Sequence, residues 1–252
     1  MMPFLFEIGP IRVPSYGFML MTAFAVNYFL LLHELKRKGK SPELAADIVF
    51  WATVGGILGS KIYYAIERGA GWENIQALGN LIAGVFSFDG GRISQALAVL
   101  GAGLVFFGGL LGGLISVTIL LKRRGESWLL FANILAPLLI LGYAIGRIGC
   151  FLVGDDYGTA SQLPWAIAFP KGIPPTTTPV HPTQLYETTM GLIIFVILWK
   201  LRTRTRPGEM LFFIYLVLAG TERFFIEFIR TNTEYLLGLT GAQIVSLVMI
   251  AL

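Results

Sequence analysis

The sequence is poor in charge: Asp, Glu, Lys and Arg make up only 13% of its 252 residues, whereas 55% are hydrophobic. Soluble domains carry roughly 25% charged residues, so this chain lacks the polar surface to cover itself in water. A single soluble domain with a very large core is therefore disfavoured. The composition instead predicts a chain whose solvent is largely lipid.

Cysteine and histidine are also scarce. One cysteine, Cys150, excludes an intramolecular disulfide, and two histidines make a dedicated zinc or haem site improbable. The first apolar stretch lacks both a basic n-region and a small-residue cleavage site, so we expect no removable signal peptide. The net charge of +4 does not indicate nucleic acid, because the basic residues lie in short loops between apolar runs.

Apolar runs recur along the chain, and about 20 apolar residues are enough to cross a bilayer as a helix. Their charged, Pro and Gly breaks predict an all-α polytopic membrane protein with about seven spans, and a single integral membrane domain over residues 1–252. The spans are predicted at residues 16–35, 46–66, 95–121, 128–151, 184–201, 209–229 and 236–252. A shorter, Gly-broken apolar stretch at 75–88 is predicted to be interfacial or re-entrant.

Basic residues are concentrated in alternate loops. The loops after the first, third and fifth predicted spans carry Lys36, Arg37, Lys38, Lys40, Lys122, Arg123, Arg124, Lys200, Arg202, Arg204 and Arg206. Loops on the other side carry only scattered basic residues. The positive-inside rule therefore predicts an N-terminus outside and a C-terminus inside, with the longest polar loop, residues 154–182, in the extracytoplasmic space.

Arg147 lies about one turn from the outer end of the fourth predicted span. An ionisable side chain within a span is costly and indicates a function by default. The neighbouring Gly146 and Gly149 let another backbone or a ligand come close, and a guanidinium there offers a phosphate a fork of donors. The alternative on this cluster alone is an arginine that reaches to the outer headgroups.

Two further clusters place charge inside predicted spans. Gln184 and Glu187 share a helical face at the start of the fifth span, which could equally be an ordinary capped helix start. Arg223, Glu227 and Arg230 recur at i, i+4 and i+7, and this spacing predicts one shared face on the sixth span. That face is either a buried structural ion pair or an ion pair poised against Arg147 to hold an anion.

Two weaker features have simpler interpretations. Gly108 and Gly109, four residues before a second glycine pair, are first of all typical of a helix-packing face. Tyr16 at the outer end of the first span is most simply an interfacial tyrosine. Together the clusters imply that the protein handles an anionic lipid headgroup, and they do not decide between transfer, transport and binding.

These residues give the sequence a resemblance to the prolipoprotein diacylglyceryl transferase family, bacterial inner-membrane enzymes that begin lipoprotein maturation. The matching segments are residues 16–17, 106–109, 146–149 with Phe151 and Gly154, 181–187 and 223–228. They occur in the family's order over nearly the whole chain. The run at 181–187 is the most specific of them.

The resemblance implies a multi-pass enzyme of the bacterial inner membrane that transfers the diacylglyceryl group of phosphatidylglycerol to the thiol of a lipobox cysteine and releases glycerol 1-phosphate. Arg147 and Arg223 would hold the phosphate and stabilise the leaving group, with His181 and Asp155 as possible bases. The implied substrate-binding residues are Tyr16, Gly108, Gly109, Gly146, Gly149, Gly154, Gly158, Gln184, Tyr186, Glu187 and Glu227. The expected partners are phosphatidylglycerol or another anionic phospholipid, the lipobox peptide and the bilayer, with no nucleic acid, metal or cofactor.

The chain also departs from the family pattern. The family usually has histidine where this chain has Phe107, asparagine at Cys150 and Val153, and glutamate at Asp155, and phenylalanine cannot accept a proton. Three hypotheses follow. The chain is an active transferase with an adjusted site, a diverged transferase that uses another acceptor or anionic lipid, or a non-catalytic lipid-binding or lipid-moving membrane protein.

Overall fold

The computed structural model describes residues 2, 4–8, 11–68, 71–101, 106–204, 210–236 and 238–252, and most of them are helical. In chain order the helices are α1 (Ser15–Arg37), α2 (Glu43–Arg68), α3 (Gly71–Phe86), α4 (Gly90–Gly101), α5 (Phe106–Arg123), α6 (Trp128–Val153), α7 (Thr183–Leu201), α8 (Leu211–Ile226) and α9 (Gly241–Ala251). Three two-stranded antiparallel ribbons pair β1 (Phe4–Ile8) with β2 (Ile11–Pro14), β3 (Ile167–Phe169) with β4 (Thr176–Val180), and β5 (Glu234–Leu236) with β6 (Leu239–Thr240).

Within the described residues, α1, α2, α6 and α7 are long and apolar enough to cross a membrane. Large apolar side chains on them point away from the protein: Met21 is 73% exposed, Ile66 80% and Ile193 55%. Such surfaces are favourable in contact with lipid tails and unfavourable in water. The chain is an all-α polytopic membrane protein, as predicted, while the number of spans and the orientation stay predictions.

Some predicted boundaries differ from the structure. The third predicted span is divided between α4 and α5, which lie on either side of residues 102–105, outside the described part of the chain. The seventh begins later than predicted because Thr240 caps α9: its Oγ1 accepts from the Gln243 amide, and Gln243 Oε1 accepts from the Thr240 amide. The weak apolar stretch at 75–88 lies mostly in α3, which at 16 residues is too short for a full crossing.

The helices group into two compact units, one of residues 1–39 and 129–252 and the other of residues 40–128. The prediction of a single integral membrane domain stays a prediction. In the second unit α2 packs closely on α5 because both helices present glycines at the contact. A Cβ added to Gly59 would lie 2.8 Å from Gly112 Cα, so the two backbones leave no room for a side chain.

In the first unit α6 is the most buried of the long helices. In its most apolar stretch 56% of the residues are buried, against 17% in the corresponding stretch of α1. α7 packs against α6 at Gly191, where an added Cβ would lie 3.1 Å from the Ala144 Cβ. α8 packs in turn on α7 and α9. This arrangement brings together the C-terminal end of α6, the start of α7 and the end of α8.

A buried ion pair connects the last turn of α1 to the C-terminal end of α7. It lies at the opposite end of α7 from the N-terminal turns that carry Gln184 and Glu187. Glu34 is 2% exposed and lies 2.6 Å from Arg37 Nη2 and 2.7 Å from Arg202 Nε. The Arg202 guanidinium also lies 3.5 Å above the Trp199 ring. Glu34 is therefore fully compensated by two cations.

Candidate active site

Charged side chains from three helices meet where α6 ends, α7 begins and α8 ends. Arg147 comes from α6, Glu187 from the second turn of α7, and Arg223 from the last turn of α8. After α8 the chain makes one 3₁₀ turn, Glu227–Ile229, and becomes extended at Arg230. Arg223, Glu227 and Arg230 therefore do not lie on the one continuous α-helix that their spacing predicted. Their three side chains nevertheless reach the same cluster.

Glu187 is the centre of this cluster and is completely buried. Its Oε1 accepts hydrogen bonds from Tyr143 Oη at 2.7 Å, from Arg147 Nη2 at 2.9 Å and from Arg223 Nη1 at 2.7 Å. Its Oε2 lies 3.5 Å from Arg230 Nη1. Three guanidinium groups thus surround this carboxylate, and they offset the cost of burying it.

Asp156 forms a second bridge between the same arginines. Its Oδ2 lies 2.7 Å from Arg147 Nη1 and its Oδ1 lies 2.9 Å from Arg230 Nη2. Burial alone would raise the pKa of the Asp156 carboxyl, but the charges of Arg230 and Arg147 outweigh it and hold that pKa below its ordinary value of 3.8. Asp156 adopts a positive φ of 60°, the left-handed conformation that Asp tolerates better than most residues.

Glu227 holds the other side of the Arg223 guanidinium. Its Oε2 lies 2.8 Å from Arg223 Nη2 and 3.7 Å from Arg230 Nε, and its Oε1 accepts a hydrogen bond from Asn232 Nδ2. These contacts tie Glu227 to both Arg223 and Arg230, and its implied role in substrate binding stays a prediction. Arg223 is consequently held between Glu187 and Glu227 with little freedom to turn.

The cluster contains three guanidinium groups and three carboxylates. Their charges balance, but their hydrogen bonds do not: the buried Nε atoms of Arg147 and Arg230 have no hydrogen-bond partner among the described residues. A buried N–H without an acceptor is costly, so these groups favour an additional acceptor such as a phosphate oxygen. The arrangement can therefore position an anion and stabilise negative charge that develops on it.

The loop after α6 is fixed against the start of α7 through its backbone. Gln184 Nε2 donates to the Asp155 carbonyl, and Thr183 Oγ1 donates to the Asp156 carbonyl at 2.8 Å. Gly154 has a φ of +81°, and a Cβ on Gly158 would overlap the Ile229 carbonyl oxygen. Both glycines are thus explained by backbone geometry, which holds Asp156 in place between the arginines.

A second group of predicted residues surrounds the Arg147 end of the cluster. Gly149 packs against the first turn of α1, where an added Cβ would lie 3.3 Å from Tyr16 Cα, whereas a Cβ on Gly146 would meet nothing within 4 Å. Cys150 Sγ lies 3.7 Å from Arg147 Nη1. Burial raises the pKa of the neighbouring Asp155 carboxyl above its ordinary value of 3.8, the opposite of the shift at Asp156.

His181 and Tyr186 form a separate contact at the start of α7. His181 Nδ1 lies 3.4 Å from Tyr186 Oη, which also accepts a hydrogen bond from Trp165 Nε1 at 2.7 Å. The side-chain contacts that the described part of the chain gives His181 do not include the arginine cluster. Its predicted role as a base, like that of Asp155, stays a prediction.

Gly108 and Gly109 belong to the second compact unit. A Cβ on Gly108 would lie 2.5 Å from the Gly59 carbonyl oxygen, and one on Gly109 would lie 2.7 Å from Ser60 Oγ. Both contacts fit the simpler interpretation of these glycines as a helix-packing face, and their role in substrate binding stays a prediction. The backbone of Phe107 lies in the first turn of α5, and its side chain lies outside the described part of the structure.

Sequence reasoning missed two members of the cluster, Tyr143 and Asp156, which were not singled out. Arg230 was recognised as part of a charged helical face together with Arg223 and Glu227. One signal was available for Tyr143: it precedes Arg147 by four residues on α6, and its ring lies 5.3 Å from the Arg147 guanidinium carbon. Asp156 could not be found this way because only the folded loop brings it to two arginines.

One group of three side chains in the described part of the chain could offer ligand atoms to a metal ion: Cys150, Asp155 and Asp156, whose ligand atoms lie within 4.8 Å of one another. Asp156 already binds two guanidinium groups, and the Arg147 cation lies beside the Cys150 sulfur. A metal ion there would be placed next to fixed positive charge, so the residues do not fit one well.

Fold and site together define a polytopic helical membrane protein with a buried arginine–carboxylate cluster at the ends of its helices. The family model described as prolipoprotein diacylglyceryl transferase matches residues 3–252. The chain belongs to the prolipoprotein diacylglyceryl transferase family.

Curated relatives agree along nearly the full length. The chain is 31% identical over 246 residues to the phosphatidylglycerol–prolipoprotein diacylglyceryl transferase of Bordetella avium, covering 96% of this chain and 86% of the relative. It is 32% identical over 260 residues to the enzyme of that name from a Nostoc species, covering 99% and 86%. It is 32% identical over 257 residues to the Idiomarina loihiensis enzyme of the same name, and the match covers 99% of this chain and 90% of that relative.

Proposed function

We propose that this chain transfers the diacylglyceryl group of phosphatidylglycerol to the thiol of a lipobox cysteine in prolipoproteins, with release of glycerol 1-phosphate, as a multi-pass enzyme of the bacterial inner membrane. Membership of the family and the activity named for its relatives support the reaction. The observation that carries the proposal is the meeting of Arg147 and Arg223 on the buried Glu187.

The lipid phosphate binds at the arginine cluster. Arg147 Nε has no hydrogen-bond partner within the described ranges and is available to a phosphate oxygen, and Arg223 is the most exposed of the three arginines, with 23% of its side chain accessible. Glu187 and Glu227 hold both guanidinium groups in position before the lipid arrives. This preorganisation removes the cost of ordering two long side chains when the phosphate binds.

The transfer is a displacement at the glyceryl carbon next to the phosphate. The lipobox thiol loses its proton, its sulfur attacks that carbon, and the bond from the carbon to the phosphate oxygen breaks, leaving the electron pair on the phosphate. Negative charge on the phosphate therefore increases in the transition state. Arg147 and Arg223 stabilise this increase more than they stabilise the bound lipid, which is the requirement for catalysis.

The other expected residues serve the same reaction. Tyr16 interacts electrostatically with Arg147, and its proposed role is to donate a hydrogen bond to the headgroup. His181 and Asp155 are the candidate bases for the thiol. The substrates are phosphatidylglycerol and a lipobox peptide that meet in the bilayer, and the chemistry requires no metal, cofactor or nucleic acid.

A second candidate is a diverged transferase that uses another anionic lipid or another thiol acceptor. The observation that favours it is Cys150, whose sulfur lies 3.7 Å from Arg147 Nη1 where the family usually has an asparagine. A thiol is a weaker hydrogen-bond partner than an amide, so the surroundings of the headgroup are less polar than in typical members. A non-catalytic lipid-binding protein is the remaining alternative.

The test is turnover by the purified protein. With phosphatidylglycerol and a lipobox peptide, the wild type is expected to release glycerol phosphate, and Arg147→Ala to lose at least about 100-fold of the rate because an electrostatic donor is removed. Arg123→Ala, which removes an exposed cation on α5, is the matched control and keeps the wild-type rate.

Four outcomes of this assay are informative. Absence of release from the wild type contradicts the main proposal. Release with another anionic lipid or thiol acceptor alone would then support the diverged transferase, and lipid binding without release from any pair would support the non-catalytic alternative. Release that Arg147→Ala leaves unchanged contradicts the role given to Arg147.

A further inference from the structure

Glu222 is a buried carboxyl group that the proposed mechanism does not use. It precedes Arg223 on α8, is 2% exposed, and its Oε1 has no hydrogen-bond partner in the part of the chain that the structure describes. Burying an ionised carboxylate without a partner is strongly unfavourable. Glu34 is buried to the same 2%, but two guanidinium groups lie within 2.7 Å of its oxygens.

The groups that face Glu222 belong to the arginine cluster. It interacts electrostatically with Glu187 on α7, with Arg147 on α6, and with Arg223 and Arg230. Tyr143 of α6 interacts with it as well. α9, which packs on α8, has no titratable side chain. Glu222 thus lies within electrostatic range of the cluster at which the lipid phosphate is proposed to bind.

Charge balance determines the form in which Glu222 is stable. The three arginines of the cluster are already paired with three carboxylates, those of Glu187, Glu227 and Asp156. An ionised Glu222 would add unbalanced negative charge in a poorly hydrated site, and a bound phosphate would add more. Both effects favour the neutral carboxylic acid, whose O–H can donate to a phosphate oxygen.

We propose that Glu222 is the general acid of the transfer: its neutral carboxyl group donates a hydrogen bond to the bound phosphate and protonates it as the carbon–oxygen bond breaks. The inference rests on the proposed function. The sulfur–carbon bond forms, the carbon–oxygen bond breaks, and the electron pair left on the phosphate oxygen takes the Glu222 proton. Glu222 then regains a proton from the medium, which received the thiol proton, so the overall reaction is balanced.

The first test compares wild type with Glu222→Gln in the phosphatidylglycerol and lipobox peptide assay. Glutamine keeps the shape and can still donate a hydrogen bond, but it cannot transfer a proton. We expect kcat to fall by at least about 100-fold while KM for the lipid changes by less than about threefold. Glu34→Gln is the control for loss of an equally buried carboxyl group away from the cluster, and we expect it to keep the wild-type kcat.

The dependence of the transfer rate on pH shows whether Glu222 acts as an acid or only supports the structure. Thiol ionisation makes the rate rise with pH, and the need for a protonated Glu222 makes it fall again at higher pH. Glu222→Gln is expected to lose the falling limb, because glutamine does not titrate. A variant that keeps both the wild-type kcat and the falling limb overturns this inference and leaves the proposed function standing. A wild type without turnover overturns both.

Infrared spectroscopy tests the protonation state without turnover. At neutral pH the wild type is expected to show the C=O stretch of a protonated carboxylic acid, which disappears in Glu222→Gln, remains in Glu34→Gln and shifts when phosphatidylglycerol is added. In the wild type alone, the same band is expected to disappear as the pH is raised. Absence of the band from the wild type at neutral pH, or its survival in Glu222→Gln, overturns the inference.

Discussion

At the scale of single residues, Glu187 is the carboxylate on which the others depend. It is fully buried and is in contact with three guanidinium groups and a tyrosine hydroxyl, which come from α6, α8 and the segment after α8. Removing one partner of a buried ion pair leaves the remaining charges uncompensated, and this is more costly than never having had the pair.

Glu187→Gln is therefore expected to destabilise the protein by about 3–5 kcal/mol, because the three arginines of the cluster would lose the buried counter-charge that they share. Denaturation of the detergent-solubilised protein measures the effect. Glu67→Gln, at an exposed position near the end of α2, serves as the control and should change stability by less than about 0.5 kcal/mol. Equal stabilities of the two variants would show that the cluster does not hold the helix ends together.

Asp156 gives the cluster a defined pH dependence. Burial would raise the pKa of its carboxyl, but Arg230 and Arg147 hold that pKa below 3.8, so the group favours the folded state when it is ionised. Its stabilisation is complete above the ordinary pKa and is lost as the pH falls through the lower, folded-state value. Asp156→Asn should be less stable than the wild type at neutral pH.

The difference between the two proteins should shrink as the pH is lowered below about 4, because the carboxyl is then protonated first in the unfolded state and, at lower pH, in the folded state as well. Thermal midpoints in detergent, measured from neutral pH to about pH 3, give this difference directly. A difference that stays constant over the whole range would mean that Asp156 acts through packing and not through its charge.

Single residues of the site differed in how well they could be predicted. Arg147, Glu187 and Arg223 stand out in apolar runs, where a charged side chain has few uses apart from function or pairing. Asp156 lies in a polar loop, where a carboxylate carries no such signal. Its contacts depend on the turn after α6, which Gly154 and the hydrogen bonds from the start of α7 determine.

At the scale of elements, α2 and α5 pack with their backbones in close contact. A Cβ on Gly112 would overlap the Gly55 carbonyl oxygen and lie 2.8 Å from Gly59 Cα, both of them backbone atoms that cannot turn aside. Gly113, the next residue, faces a more open place, where an added Cβ would lie 3.4 Å from the Ala52 carbonyl oxygen.

Gly112→Ala is accordingly expected to destabilise the second unit by about 1–3 kcal/mol, because the helices must separate to accept a methyl group. Gly113→Ala, the matched control on the same helix, should be neutral or slightly stabilising, since alanine favours a helix over glycine. Thermal denaturation of the two variants in detergent distinguishes them, and equal midpoints would contradict the packing interpretation of the α5 glycines.

The helices themselves were easier to predict than their ends. Apolar runs of about 20 residues located α1, α2, α6 and α7 because hydrophobic length is a property of the sequence alone. The start of α9 depends on the reciprocal Thr240–Gln243 cap, and the end of α8 on a switch to a 3₁₀ turn. Both are decided by local hydrogen bonds that a count of apolar residues does not contain.

At the scale of the whole molecule, the orientation in the membrane is the prediction that gives the site its location. The distribution of Lys and Arg predicts that residues 154–182, next to the arginine cluster, face the extracytoplasmic side. In a Cys150→Ala background, Thr177→Cys and Lys200→Cys each provide one exposed thiol. A membrane-impermeant maleimide should label Thr177→Cys in intact cells and Lys200→Cys only after permeabilisation.

The opposite labelling pattern would invert the orientation and place the cluster toward the cytoplasm. Labelling of both thiols in intact cells would contradict the assignment of these segments to opposite faces. The reaction proposed for this chain needs a phospholipid and a membrane-bound peptide at one leaflet, so the side on which the cluster lies determines which substrates can reach it.

The central claim, that the chain forms a thioether between a lipobox cysteine and a diacylglyceryl group, is tested most directly by mass spectrometry of the peptide product. After incubation with phosphatidylglycerol, the peptide should gain the mass of one diacylglyceryl group, and the linkage should resist hydroxylamine because it is a thioether. A lipobox peptide with serine in place of cysteine should remain unmodified. An unmodified cysteine peptide, or one carrying only a hydroxylamine-labile acyl group, would contradict the account.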